Sequence, residues 1–315
     1  MTASRRMGGW PSFGINASQP RPNSHGVPSG KVRIRLLGTA VAVILAATPA
    51  ELRKAEGLYQ QTRYREALQA ALPLAERNAD ALLLAGRAAY GMGDYRKATE
   101  FLEKLVQRDP SNSVARHWLG RAFGRRAETS FPLAAPGYAS KARQNFEKAV
   151  QLNPANGEAL NDLFEYYLQA PGFLGGGLDK AQALLTKIKN VDAAEYEFAQ
   201  AKLQEARKDF PKAEHHLIKA AESAPKSVGR VLDVARFLAR HGRFSESVIW
   251  LGNAAKLSPK HPQVLFQTAQ TYIEAKQNLP AARALLREYL QMQLNPDLPP
   301  REEAEKLLKQ AAGGL

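Results

Sequence analysis

The sequence predicts an all-α fold, a right-handed α-solenoid of about seven helix pairs closed by a C-terminal capping helix. First, the same order of small and large residues recurs at intervals of about 34 residues through most of the chain. Second, prolines follow several of the segments that carry this pattern, as expected where a helix ends. Third, the chain closes with REEAEKLLKQAA, a polar segment with one narrow apolar face, as expected of a cap.

The clearest copy of the repeat is residues 79–110, ADALLLAGRAAYGMGDYRKATEFLEKLVQRDP. Gly86 and Ala98 are small enough to lie where two antiparallel helices touch, and Leu102 is large enough to fill the space beside them. Pro110 would stop the second helix. This order of residues closely resembles a tetratricopeptide repeat.

Other copies place a small residue at the same point of their second helix, namely Ala67, Ala142, Ala181, Ala213, Ser247 and Ala282. The resemblance implies that helix pairs stack side by side along the solenoid. Residues 171–176, PGFLGG, also make the chain similar to exported bacterial tetratricopeptide proteins with a P-G-x-x-G-G insert.

The chain divides into four parts by composition. Residues 1–30 are rich in Gly, Pro, Ser and Asn without any period, which predicts a disordered extension. Residues 31–50 have the pattern of a secretory signal, residues 51–294 carry the repeats, and residues 295–315 are the predicted capping helix and tail. If translation started at Val27 rather than Met1, the signal would have an ordinary length and most of the extension would not be made.

The signal is predicted from three adjoining features: basic residues at 31, 33 and 35, an apolar run over 36–47, and small residues over 48–50. The apolar run is shorter than the roughly 20 residues needed to cross a bilayer, which favours cleavage over a membrane anchor. We therefore expect a periplasmic or secreted protein, with an inner-membrane anchor as the alternative.

The composition excludes several kinds of chemistry. The chain has no cysteine, which excludes disulfides, thiolate nucleophiles and Cys-ligated zinc. Its net charge is +14, but residues 1–50 contain six Lys or Arg and no acid, so residues 51–315 carry only +8. That charge is too dilute to favour nucleic-acid binding. No catalytic motif is present either, so we expect a protein without enzymatic activity, cofactor or metal.

Two stretches lengthen the repeat, residues 125–141 and residues 169–180. Both are predicted at the turn between the two helices of a pair, in neighbouring repeats, so they should emerge side by side at one edge of the solenoid. The apolar residues of this insertion edge are Phe131, Leu133, Tyr138, Phe173 and Leu174. We expect them to pack against one another; the alternative is a partner-binding edge.

The glycines of the second stretch do not fit a phosphate-binding loop. A P-loop needs Gly-Lys-Ser/Thr after a strand, whereas Leu178 and Asp179 separate Gly177 from Lys180, and a helix precedes. A turn explains them better, because glycine tolerates positive φ and Asp179 suits the beginning of a helix.

The first helices of a solenoid line its concave face, which is the usual binding surface. The predicted groove residues are Arg87, Tyr90, His117, Arg121, Arg125, Asn161, Lys202 and Arg236. Arginines one repeat apart suit the bidentate recognition of a carboxylate. The alternative is that these cations pair with Asp or Glu of adjacent helices and only keep the groove hydrated.

The sequence therefore predicts a non-enzymatic scaffold or adaptor of the cell envelope that binds a protein or peptide segment, with a preference for acidic segments. The alternative is a small-ligand or glycan-binding module that uses aromatic rings as platforms. Contact with a membrane is expected only through residues 31–50, if they stay attached.

The signal prediction is tested by the N-terminal peptide of the protein isolated from its own cells. Mass spectrometry should find a mature chain that begins between Thr48 and Glu51, because the small residues there suit signal peptidase. Recovery of peptides from residues 1–47 in the mature protein would contradict cleavage.

Overall fold

The computed structural model describes residues 49–313, and within that range it consists of fifteen α-helices and one short 3-10 helix. The helices are α1 (Pro49–Gln60), α2 (Tyr64–Ala75), α3 (Ala79–Gly91), α4 (Tyr95–Arg108), α5 (Ser113–Thr129), α6 (Ala135–Leu152), α7 (Gly157–Gln169), α8 (Leu178–Val191), α9 (Ala193–Ala206), α10 (Phe210–Ser223), α11 (Val228–Arg240), α12 (Phe244–Leu257), α13 (Pro262–Glu274), α14 (Leu279–Gln291) and α15 (Arg301–Ala312). The 3-10 helix is Gly172–Leu174.

The helices form seven pairs, from α1 with α2 to α13 with α14, and α15 follows as a single helix. Each helix contacts the next one along the chain, which confirms the predicted α-solenoid. In all neighbouring pairs but one, the backbones of the first helices also contact each other; the exception is α9 and α11. The backbones of second helices of neighbouring pairs are not in contact within the described residues. The stack therefore curves toward its first helices, and these line the concave groove.

Small residues let the helices approach closely, as the repeat pattern predicts. A Cβ atom on Gly86 would lie 2.7 Å from Leu102 Cγ, and one on Gly120 would lie 2.6 Å from the ring of Phe146. Ala98 is fully buried. Because side chains as large as leucine and phenylalanine fill these spaces, only glycine fits opposite them.

Asparagine caps begin the first helices of the central repeats. The side chains of Asn78, Asn112 and Asn156 accept hydrogen bonds from backbone N–H groups of α3, α5 and α7. The Asn156 side chain also donates to Ser113 Oγ at 3.0 Å, and Ser113 Oγ donates to the carbonyl of Ala149 at 2.9 Å. Asn156 thus both begins α7 and links it to the beginning of α5 in the preceding repeat.

The first lengthened stretch, 125–141, lies around the turn between two helices as predicted, but most of it is helical. Helix α5 has 17 residues and α6 has 18, so only residues 130–134 connect them. The extra residues lengthen both helices and leave a short turn at the solenoid edge.

The second lengthened stretch owes its shape to three consecutive glycines. Gly175 has φ +87° and Gly177 has φ +151°, which side-chain-bearing residues rarely adopt. A Cβ atom on Gly176 would lie 1.8 Å from the carbonyl oxygen of Ala170, which leaves no room for one. The backbone N–H of Gly177 donates to the carbonyl of Tyr167 at 2.8 Å, so the turn folds back on α7.

Helix α15 covers the apolar side of the last pair. Ala304 and Ala311 are buried in a cluster with Leu286 and Tyr289 of α14. The guanidinium of Arg283 donates to the carbonyl of Ala311 at 3.2 Å.

No helix within residues 49–313 is both long and apolar enough to cross a membrane. The predicted disordered extension and the first 18 residues of the predicted signal lie outside the described residues.

Substitutions at two glycines distinguish the effect of helix packing on stability from the effect of helix propensity. Gly120→Ala should lower the free energy of unfolding by about 1–3 kcal/mol, since its Cβ would collide with Phe146. Gly252 lies inside α12, is exposed and has nothing within 4 Å of its Cβ position. Gly252→Ala should therefore stabilise the protein by about 0.5–1 kcal/mol. Urea denaturation of both variants measures the difference, and equal effects of the two substitutions would contradict the packing.

Candidate binding site in the groove

A cluster of aromatic rings and guanidinium groups lies on the first helices at the N-terminal end of the groove. Tyr59 belongs to α1, Arg87 and Tyr90 to α3, and Trp118 and Arg121 to α5. All five positions fall within three neighbouring first helices, so curvature toward the groove brings them together.

The guanidinium groups stack on the rings. Arg87 Cζ lies 4.5 Å from the ring centre of Tyr59 and 5.1 Å from that of Trp118. Arg121 Cζ lies 4.4 Å from the Trp118 ring and 5.5 Å from the Tyr90 ring. Trp118 therefore contacts both cations, which fixes the two side chains relative to each other.

Stacking occupies the flat faces of the guanidinium groups and leaves donors at their edges. Arg87 Nε is buried without a hydrogen-bond partner, and the nearest carboxylate oxygen, on Glu56, is 4.0 Å from its Nη1. Arg121 makes no hydrogen bond within the described residues, although its Nε lies 3.7 Å from Asp162 Oδ2. Part of each side chain stays exposed, 26% for Arg87 and 13% for Arg121, and each guanidinium has five N–H donors, so a group that enters the groove can reach the donors on the exposed parts.

His117 was expected to line the groove, but only 1% of its surface is exposed. Its Nε2 lies 2.7 Å from Asp162 Oδ2, within hydrogen-bond distance, and its Nδ1 is 3.7 Å from Glu158. The ring packs near Trp118 and Phe146. His117 thus holds α5 against α7 rather than facing a ligand.

Burial and charge together set the ionisation of the cluster. Burial alone would raise the pKa of Asp162, but the His117 hydrogen bond and the Arg121 charge outweigh it, so this pKa lies below its usual range. Burial raises the pKa of the Tyr59 and Tyr90 hydroxyls, although nearby arginines partly oppose it. The tyrosines therefore stay neutral and Asp162 stays charged at neutral pH.

The remaining cations among the predicted groove residues are paired with nearby acids. Arg125 Nε donates to the Tyr95 hydroxyl at 3.2 Å, and its guanidinium forms an ion pair with Glu128. Lys202 Nζ lies 3.6 Å from Glu165, and Arg236 pairs with Asp233. Asn161 is half-buried on α7. Toward the C-terminal repeats the groove thus follows the alternative, in which cations pair with nearby carboxylates.

An acidic stripe on α7 supplies the carboxylates beside His117, Arg121 and Lys202, and was missed in the sequence. Glu158, Asp162 and Glu165 are spaced at i, i+4 and i+7, so they share one face of the helix. Asp162 contacts His117 and Arg121, which belong to the stripe at i and i+4 on α5. The acids on α7 and the cations on α5 have the same i, i+4 spacing, and this shared spacing is the sequence signal that could have predicted their contact.

The insertion edge does not pack against itself, contrary to the expectation. Phe131, Leu133 and Phe173 are 86%, 99% and 82% exposed. Leu174 is buried in the main core, and Tyr138 packs partly against the same core. The three exposed side chains stay uncovered because the turns are too short to fold over their own tips.

Histidines and acids do not form a metal site in residues 49–313, where no group of three potential ligands occurs. His216 Nδ1 lies 2.7 Å from Glu197, and the neighbouring His215 is not part of that contact.

Comparison with known proteins supports the tetratricopeptide character of the fold. Residues 79–112 match the tetratricopeptide repeat family model. A tetratricopeptide repeat protein from Parabacteroides merdae is similar with a TM-score of 0.55 at 14% identity, over 84% of this chain and 98% of that one. A thermophilic TPR protein of Thermus thermophilus is similar with a TM-score of 0.50 at 24% identity, over 60% of this chain and 97% of that one. None of the curated proteins matches the chain.

These findings define the class: an α-solenoid built of tetratricopeptide-type helix pairs, of which residues 79–112 match the family model.

Asp162→Asn tests the coupling between α5 and α7. Asparagine keeps an acceptor for His117 but removes the charge opposite Arg121, so the free energy of unfolding should fall by about 1–2 kcal/mol at neutral pH. The folded pKa of Asp162 lies below its unfolded value of about 3.9. The contribution of its charge is therefore present above that pH and is lost as the pH falls through the folded pKa.

Urea denaturation of the wild type and of this variant should give a stability difference that shrinks in acid. A difference of the same size at acidic and neutral pH would contradict a role for the charge.

Proposed function

We propose that this protein is a non-enzymatic scaffold that binds a segment of a partner protein at the N-terminal end of its groove. Proteins of the tetratricopeptide fold generally mediate protein–protein interactions, and this supports the class of function. The observation that carries the site is the stack in which Trp118 contacts the guanidinium groups of both Arg87 and Arg121.

The preferred ligand is an acidic side chain on an extended or helical segment. A carboxylate accepts two parallel hydrogen bonds from the edge of a guanidinium, and stacking on rings pre-orients that edge. Because Arg87 and Arg121 are already held by Trp118, less side-chain entropy is lost when the ligand binds. Asp162 lies behind Arg121 and His117, and so limits the excess positive charge in the empty groove.

The groove aromatics support peptide binding better than sugar binding. Tyr59 and Trp118 are 3% and 9% exposed, and guanidinium groups cover their faces. A glycan-binding module instead needs open aromatic platforms.

The signal pattern of residues 31–50 supports export of this scaffold. An exported scaffold would act in the periplasm or outside the cell, where it would assemble envelope proteins.

Reversal of both groove charges tests the site. Arg87→Glu with Arg121→Glu should abolish recovery of the partner after in-cell crosslinking, because two charge-assisted contacts become repulsive. Arg121→Glu would also place a carboxylate opposite Asp162 and destabilise the fold. Partner recovery is therefore also measured for the single variant Arg87→Gln. That variant loses charge-assisted hydrogen bonds worth about 1.5–3 kcal/mol and should weaken binding by about tenfold or more.

Arg65→Glu with Arg96→Glu is the matched control, since it makes the same change in net charge at exposed positions on the second helices. The control should bind as the wild type does. Unchanged partner recovery by the folded groove variants would refute the proposed site.

A further inference from the structure

Three large apolar side chains project from one edge of the solenoid. Phe131 and Leu133 lie in the turn between α5 and α6, and Phe173 lies in the turn between α7 and α8. At 86%, 99% and 82% exposure they are the three most exposed large hydrophobic residues of the described chain. The two turns belong to consecutive helix pairs and are linked through α6, which contacts the 3-10 helix. We call these three side chains the apolar tip.

The turn that carries Phe173 is held rigidly. The Tyr166 hydroxyl donates to the carbonyl of Leu174 at 3.0 Å, and Lys180 Nζ donates to the carbonyl of Gly175 at 2.9 Å. Leu174 is buried beside the exposed Phe173. The turn thus buries Leu174 and holds the adjacent Phe173 ring in solvent. A large aromatic side chain held exposed in this way indicates an interaction surface.

The turn that carries Phe131 and Leu133 is also ordered by its backbone. The N–H groups of Ala134 and Ala135 both donate to the carbonyl of Phe131, at 2.9 and 3.2 Å. Pro132 separates the two apolar residues and restricts φ between them.

The charges around the apolar tip are mostly positive and uncompensated. Lys141 and Lys180 are exposed and form no ion pair within the described residues. Arg126 contacts only neutral groups, the hydroxyls of Thr99 and Tyr138 and the rings of Tyr138 and Phe123. Asp179 is the one nearby acid without a cationic partner in residues 49–313, and it lies in the first turn of α8, where the helix dipole stabilises it.

Shape and charge together indicate the kind of surface that covers the tip. Side chains that project from an edge do not form a pocket, so a rigid protein partner would need matching cavities. A fluid bilayer interface accepts projecting apolar side chains without such cavities, and anionic headgroups attract the cations beside them.

From this geometry we infer that the apolar tip docks on an anionic membrane surface, with Phe131, Leu133 and Phe173 inserted at the headgroup level and Lys141 and Lys180 beside the headgroups. This contact is separate from the groove and from residues 31–50. It would place the groove at a fixed orientation to the membrane.

The absence of cysteine allows a site-specific test in the full chain. Ala134 lies in the tip turn, and Ala155 lies in the turn between α6 and α7, at the other end of α6. Both alanines are exposed, and α6 separates them by about 27 Å at 1.5 Å per residue. Single variants Ala134→Cys and Ala155→Cys, each labelled with a polarity-sensitive fluorophore, are mixed with vesicles of phosphatidylcholine alone or with an equal part of phosphatidylglycerol.

The label at 134 should shift to the blue with anionic vesicles, and the label at 155 should not. Adding Phe131→Ser, Leu133→Ser and Phe173→Ser should lower the vesicle partition coefficient at this edge by about tenfold or more, because three apolar side chains leave the interface. Lys141→Gln with Lys180→Gln should reduce the preference for anionic vesicles.

No shift at 134, or equal shifts at both labels, would overturn the inference, since equal shifts indicate binding through residues 31–50 or without orientation. An unchanged partition coefficient in the triple-serine variant would overturn it as well. If vesicles have no effect and the triple-serine variant instead loses a co-purified protein, the edge binds a protein and the membrane inference is wrong.

Discussion

The close approach of paired helices at small residues is the constraint on which the rest of the structure depends. Where Gly86 faces Leu102 and Gly120 faces Phe146, the helices of a pair come near enough for large side chains to fill the space between them. Each pair then presents an apolar side to the next, so the core extends along the chain instead of around one centre. The groove exists because the first helices lie closer together than the second helices do.

Stacking also decides which charged residues meet. His117 and Arg121 of α5 face the acidic stripe of α7, where Asp162 serves both of them. Charges on α9 and α11 are paired in the same way, since Arg230 of α11 forms ion pairs with Glu195 of α9 and Asp233 of α11. Between α1 and α5, aromatic rings contact Arg87 and Arg121 more closely than acids do, since the carboxylates of Glu56 and Asp162 lie 4.0 and 3.7 Å from the two guanidinium groups, beyond hydrogen-bond distance. Donors therefore stay available at that end of the groove.

The two lengthened repeats show how differently extra residues can be absorbed. In 125–141 both helices become longer, because α5 continues to Thr129 and Pro136 lies in the first turn of α6, where a proline is tolerated. In 169–180 the proline and glycines prevent this, because Gly176 has no room for a Cβ and Gly175 has positive φ. Both solutions leave apolar residues at the tip of a short turn, where no neighbouring segment of the described chain covers them.

The sequence by itself determined the all-α class, the repeat and the turn at the glycines, because these depend on local spacing and on backbone conformation. It also indicated Arg87 and Arg121 from their separation by one repeat. Only the tertiary structure decided that His117 is buried, that Lys202 and Arg236 are paired and that the apolar tip is exposed. These outcomes depend on partners distant in sequence, such as Asp162 for His117, and a helical period gives the face of a residue but not what lies opposite it.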